Sequence, residues 1–184
     1  MTTKPILMVL TAAMAMTALP TEAKDFDVNA MCVPWMWMGD RNSITFDPLW
    51  TAQTRGESPV IRIKYDYGDD GWSGIYWTNR DKNTGDLPGA DLSQHQCVSF
   101  WAKGDRGGEV VELIAGGVGD EQMRATTGKF RLSRDWTKYS IPIDDQKRGS
   151  VVGCIGIFVI ADAMKSATIL VDDITYHRDA GACR

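Results

Sequence analysis

The sequence predicts an all-β chain folded as a sandwich or barrel, on three observations. Short segments alternate apolar and polar residues with a period of two, Gly- and Asp-rich clusters separate them, and no stretch has the 3.6-residue period of an amphipathic helix. Residues 24 to 43 read as irregular, because Pro34 and Gly39 interrupt any period. Alternation begins near residue 59. In Ile61-Arg62-Ile63-Lys64-Tyr65 the apolar residues share one face, the pattern of a half-buried strand. A Gly-Asp-Asp-Gly turn leads into a strand over 74–77. On it Trp72 and Tyr76 share one face, and Ile75 and Trp77 share the other. Residues 79 to 95, rich in Asp, Asn and Gly, read as a long loop.

In the second half, Val98, Phe100 and Ala102 alternate with Ser99, Trp101 and Lys103, and Gly104 to Gly108 form a turn. Val111, Leu113 and Ala115 mark the next strand, and Phe130 and Leu132 another. Tyr139, Ile141 and Ile143 share a face after Trp136. Residues 151 to 161 are nearly all apolar, which suits a central strand covered on both faces. Residues 169 to 176 close the chain, for eight or nine strands in all. Lys or Arg at alternating positions would protect the edges from aggregation.

The N-terminus reads as an export signal over residues 1–23. Lys4 gives a positive start, Ile6 to Met16 is an apolar run too short to span a bilayer, and Thr21-Glu22-Ala23 fits a small-x-small cleavage pattern. Residues 24–184 then form one domain of a size that buries a real core, secreted or periplasmic, without a membrane span and expected to act as a monomer. The net charge is -4 and no Lys/Arg cluster stands out, so nucleic acid is excluded as a partner class. Four cysteines, Cys32, Cys97, Cys154 and Cys183, suit two disulfides in an exported chain, with three pairings open.

Three segments carry a family resemblance. Val98-Ser99-Phe100-Trp101-Ala102-Lys103-Gly104, Trp136-Thr137-Lys138-Tyr139-Ser140-Ile141-Pro142-Ile143 and Ile169-Leu170-Val171-Asp172-Asp173-Ile174 resemble, in that order, strands of galactose-binding-like jelly rolls. Gly71-Trp72-Ser73-Gly74-Ile75-Tyr76-Trp77 resembles a segment of secreted bacterial proteins of this type. Over roughly residues 36 to 178 the chain is similar to noncatalytic carbohydrate-binding modules. The resemblance implies a jelly-roll β-sandwich of two antiparallel sheets that binds a polysaccharide or oligosaccharide. A protein-interaction or envelope-assembly module on the same fold is the alternative, since one fold hosts many functions.

Flat aromatic faces match the C–H patches of sugar rings, and polar neighbours bond the hydroxyls. The candidate carbohydrate-binding residues are Trp37, Trp72, Tyr76, Trp77 and Trp101, with Arg62, Lys64, Asn79, Lys103, Glu112 and Arg131 as polar partners. Trp101 falls on an outer sheet face, and Trp35 and Trp37 fall in the irregular segment as a loop platform. A structural Ca2+ is expected at Asp172 and Asp173 with Asp40 and Asp47, because alternation with Leu170, Ile174 and Tyr176 turns Asp172 inward and similar jelly rolls use this strand for calcium. Asp25 and Asp27 are further candidates to complete such a site. For catalysis there is no Gly-x-Ser-x-Gly, no His-Glu-x-x-His and no strand-spaced carboxylate pair, and the chain is expected not to be an enzyme.

Overall fold

A computed structural model describes residues 24–119, 123–163 and 165–184. The expected export signal, residues 1–23, lies outside the described residues. The elements run β1 (Phe26–Asp27), α1 (Val28–Met31), β2 (Val33–Gly39), β3 (Ile44–Trp50), β4 (Val60–Asp66), β5 (Trp72–Thr78), β6 (Cys97–Gly104), β7 (Val110–Gly116), β8 (Arg124–Thr126), β9 (Phe130–Arg131), β10 (Thr137–Pro142), β11 (Gly153–Ile160), β12 (Ser166–His177) and a 3-10 turn at Ala180–Cys183. The chain is all-β, in two antiparallel sheets, as expected. The back sheet has the order β10-β6-β12-β4-β3, with β1 added beside β12; the front sheet has the order β2-β5-β11-β7-β8, with β9 added beside β7.

Alternation decides which residues fill the space between the sheets. Ile61, Ile63, Tyr65, Val98, Phe100, Ala102, Ile169 and Val171 point in from the back sheet. Ile75, Trp77, Val111, Leu113, Ile155, Ile157 and Val159 meet them from the front. Each Val, Leu, Ile or Phe side chain among them contributes roughly 1.5–3 kcal/mol when fully buried. A one-residue slip of any strand would turn its whole set outward, so the register is strongly specified.

Two disulfides join the sulfurs, with none of the four cysteines left free. Cys32 pairs with Cys154, tying the start of β2 to β11, and Cys97 pairs with Cys183, tying β6 to the C-terminal turn.

Three expectations are corrected. Residues 24 to 43 are not irregular: Val33–Gly39 is a strand, and Ile44–Trp50 after it is another. Proline is tolerated because β2 is an edge, and its pairing with β5 shifts register at a bulge between Pro34 and Met36. In β3, Asp47 and Pro48 break the alternation, and the pairing with β4 shifts between Asp47 and Trp50.

The third correction concerns Asp172. A bulge lies between Asp172 and Thr175, where Asp173 takes φ 49°. The extra residue reverses the alternation. Asp172 therefore stands with Leu170 on the outer face of the back sheet, while Ile174 and Tyr176 return to the core.

A glycine-seated aromatic cleft on the front sheet

The outer face of the front sheet carries a second, smaller apolar cluster. Tyr76, Ile114, Val118, Val152 and Phe158 form it, with Met36, Met38 and Trp72 packed against them at partial exposure. Its origin is the strand alternation. On β5, Ser73, Ile75 and Trp77 point away from this face, so Trp72, Gly74 and Tyr76 point toward it. On β11, Gly156, Phe158 and Ile160 do the same. Register then sets neighbours: Gly156 lies across from Tyr76, and Phe158 lies across from Gly74.

Each ring is seated on a glycine of an adjacent strand. A methyl group added at Gly74 would sit 2.4 Å from Phe158 Cδ1, and one at Gly156 would sit 2.6 Å from Tyr76 Cζ. One at Gly39 would sit 2.9 Å from Trp72 Cδ2. The rings thus lie down on the sheet rather than standing off it, which is how an aromatic side chain compensates for a glycine in a strand. Phe158 is central. Its centroid is 5.8 Å from that of Trp72 and 5.5 Å from that of Tyr76, and the Tyr76 ring meets it edge-on. The result is a continuous aromatic floor running across β5 and β11.

A cleft of about 510 Å3 stands over this floor. Met38, Trp72, Tyr76, Ile114, Phe158 and Ile160 supply apolar surface, and Asp70, Glu112, Arg124 and Lys129 supply polar groups. The volume is that of a small-molecule or oligomer site, and the lining divides about evenly between polar and apolar surface. Thr126 donates to Glu112 Oε1 at 2.8 Å, fixing that carboxylate on the wall made by β7 and β8.

The Trp72 end is anchored by the β2–β3 turn. The Asp40 amide donates to the Trp72 carbonyl at 3.0 Å, and Asp40 accepts from the Tyr65 hydroxyl. The hydrogen bond from Tyr65 holds the Asp40 carboxyl below the usual carboxylate range, and burial with that same bond pushes the Tyr65 phenol up to about 12. The pair stays an ionised acceptor and a neutral donor across the working pH range, so the turn beneath Trp72 stays fixed.

Of the carbohydrate candidates read from sequence, the fold brings Trp72, Tyr76 and Glu112 into this cleft. Trp37 is 38% exposed on the β2 edge, where it meets Phe46 edge-on at 5.6 Å. It borders a separate hollow with Trp35, Met36, Arg41, Asn42 and Ile44. Trp77 is 2% exposed in the core and offers no face to a ligand. Asn79 holds the 79–90 loop together, donating to the Pro88 carbonyl and accepting from Asn83. Arg131 sits on β9 and binds the Gly108 carbonyl and Asp162.

Arg62, Lys64, Trp101 and Lys103 are on the other sheet, on its outer face, in cross-strand register with Leu170, Thr168 and Asp172. The tryptophans there are already covered: Arg55 lies over Trp101 at 4.9 Å and Arg62 over Trp50 at 4.5 Å.

Sequence reasoning missed Met38, Asp70, Ile114, Phe158, Ile160, Arg124 and Lys129. The available signal was the spacing of Gly74 two positions from Trp72 and Tyr76, and of Gly156 two positions from Phe158. The apolar run 151–161 is covered on one face by the core, and its other face is the cleft floor.

The four carboxylates expected to bind calcium do not form a site. Arg55 pairs with Asp172 at 3.1 Å and with Asp173. Asp40 is committed to Tyr65 and the Asp70 amide, and Asp47 to the Leu49 amide. Asp25 binds His177, and Asp27 caps α1. Among the described residues no three His, Cys, Asp or Glu side chains converge as a metal would require.

One constellation of catalytic residue types is brought together from distant positions, without any of the sequence motifs sought for catalysis. Ser99 Oγ is 2.8 Å from His177 Nε2, and His177 Nδ1 is 2.7 Å from Asp25 Oδ2. The order is that of a Ser–His–Asp relay. Ser99 is only 3% exposed, however, and the C-terminal turn, held by Cys97–Cys183 and by Ser140 donating to the Cys183 carbonyl, packs on its strand. These hydrogen bonds, with that from the Arg178 amide to Asp25, join residue 25 to the end of β12.

Comparison with known proteins places this geometry. The profile of the family described as carbohydrate binding domain 30 matches residues 26–178. A crystal structure of a family 30 carbohydrate-binding module is similar at a TM-score of 0.63 and 20% identity, over 85% of this chain and 100% of that one. The family 30 module of a cellulosomal cellulase of Clostridium thermocellum is similar at 0.52 and 21%, over 81% and 91%. A family 11 module from the same organism, in complex with a β-1,3-1,4-mixed-linked tetrasaccharide, is similar at 0.52 and 19%, over 84% and 94%. Among curated proteins no match was found.

Proposed function

The chain belongs to the carbohydrate binding domain 30 family, and on that premise we propose that it binds an extended, neutral glucan chain along the front-sheet cleft. The observation that carries this reading is the glycine-seated run of Trp72, Phe158 and Tyr76 beneath a cleft with polar walls. Pyranose rings stack their C–H faces on the aromatic floor, and Asp70, Glu112, Arg124 and Lys129 exchange hydrogen bonds with hydroxyls. The wall charges, two acidic and two basic, balance, which favours a neutral glycan over a uronic-acid polymer. The mixed-linked tetrasaccharide held by the family 11 module makes mixed-linkage β-glucan the first ligand to test.

The test is affinity electrophoresis of the native chain in gels containing mixed-linkage β-glucan, hydroxyethylcellulose, xylan or pectin. Retardation by the glucans and free migration in pectin is the expected result. Free migration in every gel would refute the reading.

We also read the chain as secreted or periplasmic. Two disulfides persist in oxidising compartments, and no helix among the described residues is long and apolar enough to cross a membrane. Protein sequencing of the exported form, with a start at Lys24, tests this.

A further inference from the structure

Met38 lines the cleft, and Met36 packs against the same aromatic cluster from the neighbouring hollow. Met36 and Met38 alternate on β2, pack against the Tyr76–Phe158 cluster and remain partly exposed. Register puts Met36 across from Tyr76, and Met38 across from Gly74, over which the Phe158 ring lies. Among the described residues β2 is the edge of its sheet, and no further strand there shields these side chains. The other two described methionines differ in kind. Met123 is 0% exposed, and Met31 is 58% exposed but sits on α1, outside the cleft.

Thioethers are soft and polarisable and pack well on aromatic rings, yet a single oxygen atom makes them polar. We propose that Met36 and Met38 are a modification site: peroxide converts their thioethers to sulfoxides, and this turns off glycan binding. In that step the sulfur lone pair attacks one peroxide oxygen and the O–O bond breaks. A sulfur–oxygen bond forms, the second oxygen leaves as hydroxide and becomes water by taking the proton of the oxygen now on sulfur, and sulfur is oxidised by two electrons while peroxide is reduced. At Met38 the new S–O group projects a strong acceptor into the cleft where a sugar face would stack, and at Met36 it disturbs the packing against the cluster that holds Tyr76. Met31 oxidises as readily but touches nothing in the cleft, and Met123 is shielded. The inference rests on the cleft being the glycan site.

The test treats the purified full chain with hydrogen peroxide, locates sulfoxides by peptide mass spectrometry and measures binding by affinity electrophoresis in mixed-linkage β-glucan. The expected result is oxidation at Met31, Met36 and Met38, not Met123, with at least a tenfold loss of affinity. Methionine sulfoxide reductases should reverse the loss. A Met36→Leu/Met38→Leu variant, close in volume, should show the same affinity after peroxide as before it, whatever its own starting affinity. Unmodified Met36 and Met38 beside an oxidised Met31 would overturn the proposal. So would sulfoxides at both positions with affinity unchanged, a loss that the reductases do not reverse, or an equal loss in the double variant. Free migration of the untreated chain in glucan gels would instead refute the assignment of the cleft, and the proposal with it.

Discussion

Replacing Gly156 by alanine adds one methyl group at the centre of the cleft floor and removes nothing. That methyl would lie 2.6 Å from Tyr76 Cζ, 2.7 Å from Tyr76 Cε1 and 2.8 Å from Phe158 Cε2, all closer than side-chain atoms tolerate. Gly156 does not occupy the left-handed region, so alanine meets no backbone strain there. The whole effect must come from lifting two rings off the sheet. Overpacking of this kind costs about 1–3 kcal/mol, and the reduced freedom of the unfolded chain returns about 0.4–1 kcal/mol. The expected net destabilisation is therefore roughly 1–2 kcal/mol in urea unfolding, with the fold retained. The lifted rings rise into the space a sugar would fill, so affinity for mixed-linkage β-glucan should fall by about tenfold or more, which corresponds to about 1.4 kcal/mol. Gly149→Ala, with nothing within 4 Å of the added carbon, is the control. Calorimetric titration and urea unfolding of both variants read the two effects separately. Wild-type affinity and stability in Gly156→Ala would mean that Tyr76 and Phe158 do not lie on that glycine, and the account of the floor would be wrong.

Four further outcomes are expected. Trp72→Ala should weaken glucan binding by about 1–2 kcal/mol, the worth of a contact at the edge of a desolvated patch, whereas Trp101→Ala on the back sheet should bind as the native chain does; titration calorimetry compares them. Replacing Cys32 and Cys154 together by alanine opens a link spanning 122 positions and should cost about 2–5 kcal/mol in urea unfolding. Burial between Phe26 and Tyr176 pushes the His95 pKa below its ordinary 6.5, so below about pH 6.5 the unfolded chain takes up a proton that the folded chain resists, and stability falls with acid. Burial raises the Asp25 carboxyl, but the hydrogen bonds from His177 and the Arg178 amide outweigh it and hold the group below its ordinary 3.8, giving a second loss as pH drops below about 4; melting curves from pH 3 to 8 should show both steps, and His95→Leu should flatten the upper one. Chelation by EDTA should leave the melting temperature unchanged, since the acidic residues expected to hold calcium are engaged elsewhere; a clear fall would put a cation on other oxygens.

The central strands were legible because their residues obey one period from end to end. Ile61 to Tyr65, Val98 to Lys103 and Val111 to Ala115 are strands whose inward sets match the alternation. The edges were not, because bulges interrupt the period there. Pro34 and Asp47–Pro48 concealed β2 and β3, and on the interior strand β12 the extra residue at Asp173 likewise reversed the face assigned to Asp172.

The cleft was half legible. Alternation separated Trp72 and Tyr76 from Ile75 and Trp77, but it could not say which pair faced the core, since both are apolar. Phe158 was hidden in a run whose two faces are both apolar for different reasons, one packed on the core and one forming the floor. Trp101, Arg62, Lys64 and Lys103 fell on a polar outer face, as the pattern said. Nothing in the local pattern tells one sheet's outer face from the other's, and Arg55, from the 51–59 loop, covers Trp101 by a contact across many residues. The Ser99–His177–Asp25 relay joins positions far apart in sequence and leaves no local motif.

The most direct measurement of the glycan site is a titration of the isotope-labelled chain with a mixed-linked tetrasaccharide, read by amide and aromatic NMR shifts. The predicted result is that the largest changes fall on Met38, Trp72, Tyr76, Glu112 and Phe158, with the back sheet unperturbed. Shifts confined to Arg62, Lys64, Trp101 and Lys103, or to the Trp35–Trp37 edge, would contradict the assignment of the front-sheet cleft.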